Sequence, residues 1–280
     1  LALRSLSGFT GNPPPLPVPD LEFPDWVAGA ERDLRAFEYL DVALDLVPPH
    51  PDEAALRQRF KLIGIGDDKA FSIATLDEES AAALAAGMEQ GLEEMQAFIA
   101  ANSGDPLMSA RIFGTREALM ESAASMGLSD IYLPRAVAAM TGLYGNSGAE
   151  ALYPAYFTDS DGEPLDAAQH SSRMRIPPGE MPPAKAFWSL SMYDGKTQLF
   201  IDNPLDRYLL NSAMESDFVQ EPDGSVVLYL QSEAPPEPLI PNWLPAPDGP
   251  FYAVMRLYLP TDEVLQGDWM PPVIAKEAAQ

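Results

Sequence analysis

The sequence predicts an α+β protein in which a helical and mixed N-terminal region precedes an antiparallel, jelly-roll-like β-sandwich domain. Two observations predict this class. Up to about residue 145, apolar residues recur at the three- and four-residue spacing of amphipathic helices. Beyond it, short apolar and aromatic runs alternate with Gly, Pro, Asn and Asp, which is typical of strands joined by tight turns. We therefore predict a proline-rich arm at 1–27, a mainly helical region at 28–150 and a β-sandwich-like domain at 151–280.

The N-terminal segment contains GNPPPLPVPDLEFPDW, whose prolines favour an extended backbone and whose apolar residues favour an arm docked on the protein. Helical periodicity then predicts helices at 28–47, 52–62, 77–102 and 129–144. Pro48 and Pro49 end the first of these helices, and Ser129 is the expected N-cap of the last.

The period changes after Gly145. We predict strands at 151–158 and 170–176, followed by the strand-like runs AFWSLSMY, TQLFI, VVLYLQ and YAVMRLYL. Within the first run, Phe187, Ser189 and Ser191 alternate with apolar residues, which indicates two different faces. Asp223-Gly224 is the strongest turn signal in this half of the chain.

Composition excludes several classes of site. The chain has 42 acidic and 17 basic residues, a formal charge of −25, which disfavours nucleic acid and anionic membranes as partners. It has no cysteine, so disulfides, thiolate nucleophiles and cysteine metal sites are excluded, and two histidines cannot form a three-histidine metal site. No apolar run is long enough to span a membrane. We predict no metal and no cofactor.

Six motifs in the second half, in order FWSLSMYD, NPLDRY, DGSVVLYLQ, NWLPAPDGPF, RLYLP and WMPP, resemble the bacterial family of domain of unknown function 1214. Upstream stretches such as FKLIGIG and YLPRAVAAMTGLYGN are similar to the end of its usual partner, domain of unknown function 1254. Where that pattern tends to have LDG-x-N-x-Y, this chain has LDAAQHSSR. The resemblance implies a helical and mixed region joined to a β-sandwich-like domain, and a homo-oligomer. It also implies export to the periplasm or the medium, with the cytoplasm left open. It implies no catalytic residues.

Chemistry therefore selects the candidate site. Flat rings combined with bidentate donors suit a pocket for a small organic or glycan ligand. The residues that offer this mixture are Trp188, Tyr193, Asn203, Arg207, Tyr208, Asn242, Trp243, Arg256 and Tyr258. The alternative is an exported hydrolase or lyase that uses carboxylate acid–base chemistry, with Asp194, Asp202, Asp206, Asp223 and Asp248 as sources of carboxyl groups. A serine triad is disfavoured because no G-x-S-x-G elbow occurs.

Overall fold

The computed structural model describes residues 10–11, 24–67, 69–102 and 105–277. The chain divides into two compact units, Leu1–Glu93 and Glu94–Gln280. Most of the expected proline-rich arm at 1–27 lies outside the described residues, and the three segment boundaries stay predictions.

Helices form the described part of the first unit. Helix α1 spans Ala36–Leu46, α2 spans Ala54–Lys61, and α3, Glu78–Asn102, begins here. Single 3₁₀ turns at Ala30–Arg32, Pro51–Glu53 and Ile73–Thr75 precede them. The predicted helices at 28–47, 52–62 and 77–102 are therefore confirmed, although the first two each begin as a 3₁₀ turn.

A buried carboxylate organises the loop after α2. Asp41, only 3% exposed, accepts hydrogen bonds from the backbone N–H groups of Gly66 (2.6 Å) and Phe71 (2.8 Å). Gly66 has a φ of 71°, a left-handed conformation that costs little without a Cβ. The glycine-containing turn at residues 64–67 is thus closed over this aspartate.

The second unit also begins with helices. Its elements α4, α5 and α6 span Met108–Ile112, Arg116–Ser125 and Tyr132–Gly142, and α7 spans Asp262–Gln266. The helix predicted at 129–144 is confirmed with shorter bounds, but Ser129 is not its cap: Asp130 Oδ1 accepts the N–H of Tyr132 at 3.0 Å. Periodicity missed α4 and α5 because each is too short to show a repeat.

In the described part of the chain, nine strands form two sheets. Their bounds are β1 Ala151–Leu152, β2 Ala155–Tyr156, β3 Ser172–Ile176, β4 Ala184–Asp194, β5 Leu209–Asn211, β6 Val226–Gln231, β7 Trp243–Pro245, β8 Phe251–Pro260 and β9 Ile274–Lys276. The first sheet has the order β1-β8-β4-β5, with β2 also paired to β8, and the second has the order β7-β6-β3-β9. The α+β class with a helical N-terminal part is therefore confirmed.

One side of each sheet contributes to a shared apolar core. Alternation along β4 directs Trp188 and Leu190 inward, and both are at most 1% exposed. They belong to the same buried cluster as Met174 of β3 and Leu228 of β6. The side chains on the opposite side of the first sheet do not belong to this cluster.

The second sheet is not wholly antiparallel, contrary to the prediction. Strand β7 pairs with β6 in parallel, with Tyr229 opposite Trp243 and Gln231 opposite Pro245. A parallel neighbour cannot be reached through a tight hairpin, so the chain crosses over through a 3₁₀ turn at Glu237–Asn242. Sequence alternation alone does not report strand direction.

Within the described ranges, we find no helix whose length and hydropathy would let it cross a membrane.

Candidate functional site

Three of the nine predicted binding residues are buried and occupied by structural contacts. Trp188, Asn242 and Trp243 are 1%, 1% and 3% exposed. The Trp188 indole N–H donates to Glu215 Oε1 at 2.6 Å, and that of Trp243 donates to the Gln231 carbonyl at 2.9 Å. These rings have no surface left for a ligand.

Asn242 connects three backbone groups. Its Oδ1 accepts the N–H of Val219 at 2.8 Å, while its Nδ2 donates to the carbonyls of Val219 (2.8 Å) and Val227 (2.9 Å). A side-chain amide suits this position because it offers an acceptor and two donors. Asn242 therefore holds the crossover against β6.

Arg207 and Asn203 form a corner of the chain. The Asn203 carboxamide accepts from the backbone N–H of Arg207 and donates to its carbonyl, both at 3.0 Å. The Arg207 guanidinium reaches the carbonyls of Ile240 at 2.6 Å and Trp243 at 2.8 Å through Nη1. Burial lowers the Arg207 pKa. This arginine ties the corner to the crossover, which argues against a role in clamping a ligand.

The remaining predicted residues lie on or beside the outward side of the first sheet. We call the outward side chains of β4 and β8 the aromatic–arginine face. It comprises Phe187, Ser189, Ser191 and Tyr193 of β4 with Tyr258, Arg256, Val254 and Tyr252 opposite them on β8. Three of the predicted residues, Tyr193, Arg256 and Tyr258, are therefore brought together by strand register.

Stacked aromatic pairs border this face at both ends. At one end the rings of Phe187 and Tyr258 stack with centroids 4.3 Å apart, and at the other Tyr193 stacks on Tyr252 at 5.0 Å. Directly opposed residues of antiparallel strands are close enough for such contacts. The residues between the two pairs are smaller, apart from one arginine.

The second aromatic pair belongs to a longer row. Phe157 stacks on Tyr252 at 5.3 Å, Phe200 stacks on Tyr193 at 5.0 Å, and Tyr208 stacks on Phe200 at 5.2 Å. Phe157 is 58% exposed and Phe200 is 52% exposed, so the row presents apolar ring surface to solvent. Contiguous exposed apolar surface of this kind commonly marks a binding surface.

Arg256 lies between the two aromatic pairs and is only partly buried. Its Nη1 donates to Ser191 Oγ at 3.1 Å and its Nη2 donates to Tyr193 Oη at 2.9 Å. The guanidinium carbon lies 5.8 Å from the centroid of the Tyr193 ring. No carboxylate in the described part of the chain forms an ion pair with it. A cation held by neutral oxygens still has donors for an anion.

Two tyrosines on or beside this face have a raised pKa. Burial raises the pKa of Tyr252, the neighbouring Tyr193 raises it further, and the charge of Arg256 partly opposes the shift. Burial and nearby aspartates likewise raise the pKa of Tyr208, which lies beside the face. Neither hydroxyl group therefore adds a negative charge that would compete with an anionic ligand.

Two open depressions lie on the second sheet instead. One has a cavity volume of about 600 Å³ and is bordered by Arg173, Arg175 and Asp223. The other has about 470 Å³ and is bordered by His170, Arg173 and Gln231. Neither contains any of the nine predicted residues. Within the described residues, no group of His, Asp and Glu side chains is arranged to hold a metal ion.

Sequence reasoning missed several members of the face. Tyr252 follows from alternation along YAVMRLYL, which places it on the same side as Arg256. Ser191 follows from the same reasoning along β4. Phe157 and Phe200 lie outside the two central strands, so no periodicity connects them to the site.

Comparisons with known proteins support the fold without indicating an activity. Residues 150–262 match the family described as "Protein of unknown function (DUF1214)". The structure resembles that of the VPA0106 protein from Vibrio parahaemolyticus, with a TM-score of 0.62 and 24% identity over 98% of this chain and 62% of that one. An uncharacterized protein from Burkholderia cenocepacia matches at a TM-score of 0.29 and 15% identity, over 68% of this chain and 52% of that one. No curated protein matches the chain. This chain thus spans less than two thirds of either structural relative.

Proposed function

We propose that the protein binds a small organic acid or acidic sugar on the aromatic–arginine face, with the ligand carboxylate paired to Arg256. The observation that carries the proposal is a partly buried arginine, without a carboxylate partner among the described residues, set between two stacked aromatic pairs. In a chain with a formal charge of −25, a cation left without such a partner is unusual.

The hydrogen-bond inventory of Arg256 supports a carboxylate. A guanidinium carries five N–H donors, and Ser191 and Tyr193 accept one from each terminal nitrogen. The remaining donors form a planar fork that fits the two oxygens of a carboxylate. Both current acceptors are hydroxyl groups rather than carboxylates, so a ligand would not have to break an ion pair.

The aromatic rings indicate the chemistry of the uncharged part of the ligand. Exposed ring faces of Phe157, Phe200 and Tyr208 favour contact with a flat or apolar surface, such as an aromatic ring or the C–H face of a sugar. A ligand with a carboxylate and a compact ring would satisfy the cation and the rings together. Benzoate and glucuronate are the simplest members of the two classes.

Binding is favoured over hydrolase or lyase chemistry by the behaviour of the carboxyl groups. A general acid needs a raised pKa. The described carboxyl groups with a clear pKa shift are lowered, those of Asp194 and Asp223 because turn N–H and hydroxyl groups donate to them. Both behave as turn residues.

Several wider features belong to the same proposal. The two sheets form a β-sandwich, which the shared core of inward side chains supports. The upstream resemblance to domain of unknown function 1254 extends the relationship beyond the matched residues 150–262. We also propose that the protein assembles into a homo-oligomer and is exported to the periplasm or the medium.

Calorimetric titration with benzoate and glucuronate tests the proposal, with benzyl alcohol and glucose as uncharged counterparts. We expect at least one acid to bind this face more tightly than its uncharged counterpart, and to bind more weakly as salt is added. Arg256→Met should weaken that binding at least tenfold. Arg175→Met, which removes a different exposed arginine, should leave it unchanged. Equal acid binding by Arg256→Met and the native chain, or no binding of either acid, would refute the assignment.

A further inference from the structure

The second depression lies against β3 and β6, on the other sheet from the aromatic–arginine face. Residues 167–171 form one side and residues 231–236 form the other. Its volume of about 470 Å³ falls within the range of small-molecule sites. Polar side chains line it together with the ring of Tyr229 and the prolines Pro235 and Pro236.

Three residues on its border carry buried polar atoms without a hydrogen-bond partner. These atoms are Nε2 of His170, Nε of Arg173 and Oε1 of Gln231. Leaving such an atom unsatisfied is costly, because it loses its bond to water on burial and gains none from the protein. Each of the three residues is itself only partly buried. A ligand in the depression reaches these enclosed atoms when the side chains rotate about their torsions, which leaves the backbone in place.

Two of these side chains exchange an existing contact when they rotate. Arg173 forms an ion pair with Glu277 through Nη2, and its guanidinium carbon lies 5.4 Å from the centroid of the Tyr229 ring. Gln231 donates from Nε2 to the Glu233 carbonyl at 2.8 Å. What remains is a donor on Arg173 and an acceptor on Gln231, together with a histidine nitrogen that can serve as either.

The charges around the depression disfavour an anion. Glu233, Asp248 and Glu277 border it, and the one arginine of its border is already paired with Glu277, so an anion would be repelled. A cation would be attracted by these carboxylates and would satisfy Gln231, but it offers no acceptor to the Arg173 Nε–H, which would stay unsatisfied. A neutral group that both donates and accepts satisfies all three atoms.

We infer that this depression binds a neutral polyhydroxylated ligand, a sugar or a polyol. A hydroxyl group accepts from Arg173 Nε–H and donates to Gln231 Oε1, and a second hydroxyl pairs with His170 Nε2. The Tyr229 ring and the two prolines supply apolar surface for the C–H groups of the ligand. The inference is independent of the organic-acid proposal, because the two sites share no residue.

Saturation-transfer NMR and calorimetry with glucose, galactose, sucrose and myo-inositol test the inference. We expect at least one of the four to bind. Gln231→Met, of similar size but without the acceptor, should weaken that binding at least tenfold, and so should His170→Phe. The stability of Gln231→Met should stay close to that of the native chain, because the substitution also removes an unsatisfied atom. Failure of all four ligands to bind, or binding that both variants retain, would overturn the inference.

Charge selectivity and independence are tested together on the Arg256→Met chain, which lacks the proposed organic-acid site. There the sugar or polyol that binds the native chain should bind equally well, while glucuronate, which carries a carboxylate, should bind at least tenfold more weakly than that ligand. Loss of the sugar or polyol binding in Arg256→Met would contradict a separate site. Glucuronate binding as tight as that of the neutral ligand would contradict a neutral ligand.

Discussion

Arg207→Met isolates the structural role that we assign to this arginine. Methionine keeps an unbranched apolar side chain but removes the guanidinium that binds the carbonyls of Ile240 and Trp243. Both carbonyls belong to the crossover that delivers β7 to its parallel place beside β6. We expect the variant to fold and to be less stable.

The magnitude follows from the geometry. Hydrogen bonds to charged groups contribute about 1.5–3 kcal/mol each. The bonds of 2.6 and 2.8 Å are short, whereas the third, 3.5 Å to the Pro241 carbonyl, is at the limit and adds little. Because Arg207 is only partly buried, water can replace some of what is lost. The low end of the range therefore applies, and we expect a loss of about 3 kcal/mol.

Urea unfolding followed by tryptophan fluorescence measures this loss, since Trp188 and Trp243 are both buried. A loss of that size lowers the melting temperature by roughly 6–12 °C. Arg175→Met is the matched control, because its partner Asp223 and Arg175 itself are exposed and such a pair contributes about 0–1 kcal/mol. Arg207→Met should also keep full affinity for the organic acid below its unfolding transition.

Two results would refute this reasoning. If Arg207→Met and Arg175→Met were equally stable, the carbonyl contacts would contribute nothing that a surface pair does not. If Arg207→Met kept its stability but lost the organic acid, the arginine would be a ligand clamp, as its sequence context first suggested.

Two further predictions concern other polar groups. Asn242→Asp places acceptors against the carbonyls of Val219 and Val227, so we expect a loss of at least 3 kcal/mol in urea unfolding, and an unchanged value would contradict the assigned contacts. Burial would raise the pKa of Asp159, but hydrogen bonds from the N–H groups of Glu163 and Asp161 and the nearby Lys276 lower it overall from 3.8. A lowered pKa adds stability that is present above pH 3.8 and lost as pH falls. The free energy of unfolding of the native chain should therefore exceed that of Asp159→Asn by less at pH 3 than at pH 7. A difference that stays constant with pH would refute this prediction.

The fold could be predicted from patterns that depend on local periodicity. The long helix near residue 90 and the inward side of β4 both follow from apolar spacing, because burial selects one face of a regular element. The parallel placement of β7 could not, since strand direction depends on where the crossover runs. The roles of Arg207 and Asn242 were hidden for the same reason, as their backbone partners lie 15 or more residues away.

The candidate sites were predictable only in part. Tyr193, Arg256 and Tyr258 are singled out by residue type, and their grouping requires only the pairing of β4 with β8. The depression beside His170 was not predicted, since the segment LDAAQHSSR departs from the pattern it otherwise resembles, which argued against binding there. Residue types alone did not reveal it, because unsatisfied atoms are a property of packing rather than of sequence.

The position of β8 has a consequence for the order of folding. This strand is the centre of the first sheet and pairs with β1, β2 and β4, so Ala151 meets Tyr258 only after a long loop closes. In the second sheet, Ser172 of β3 pairs with Lys276 of β9. Closing such distant contacts slows folding. On the ribosome, neither sheet can be completed until residues 251–276 have emerged, so the earlier strands stay unpaired until then, a state that favours aggregation.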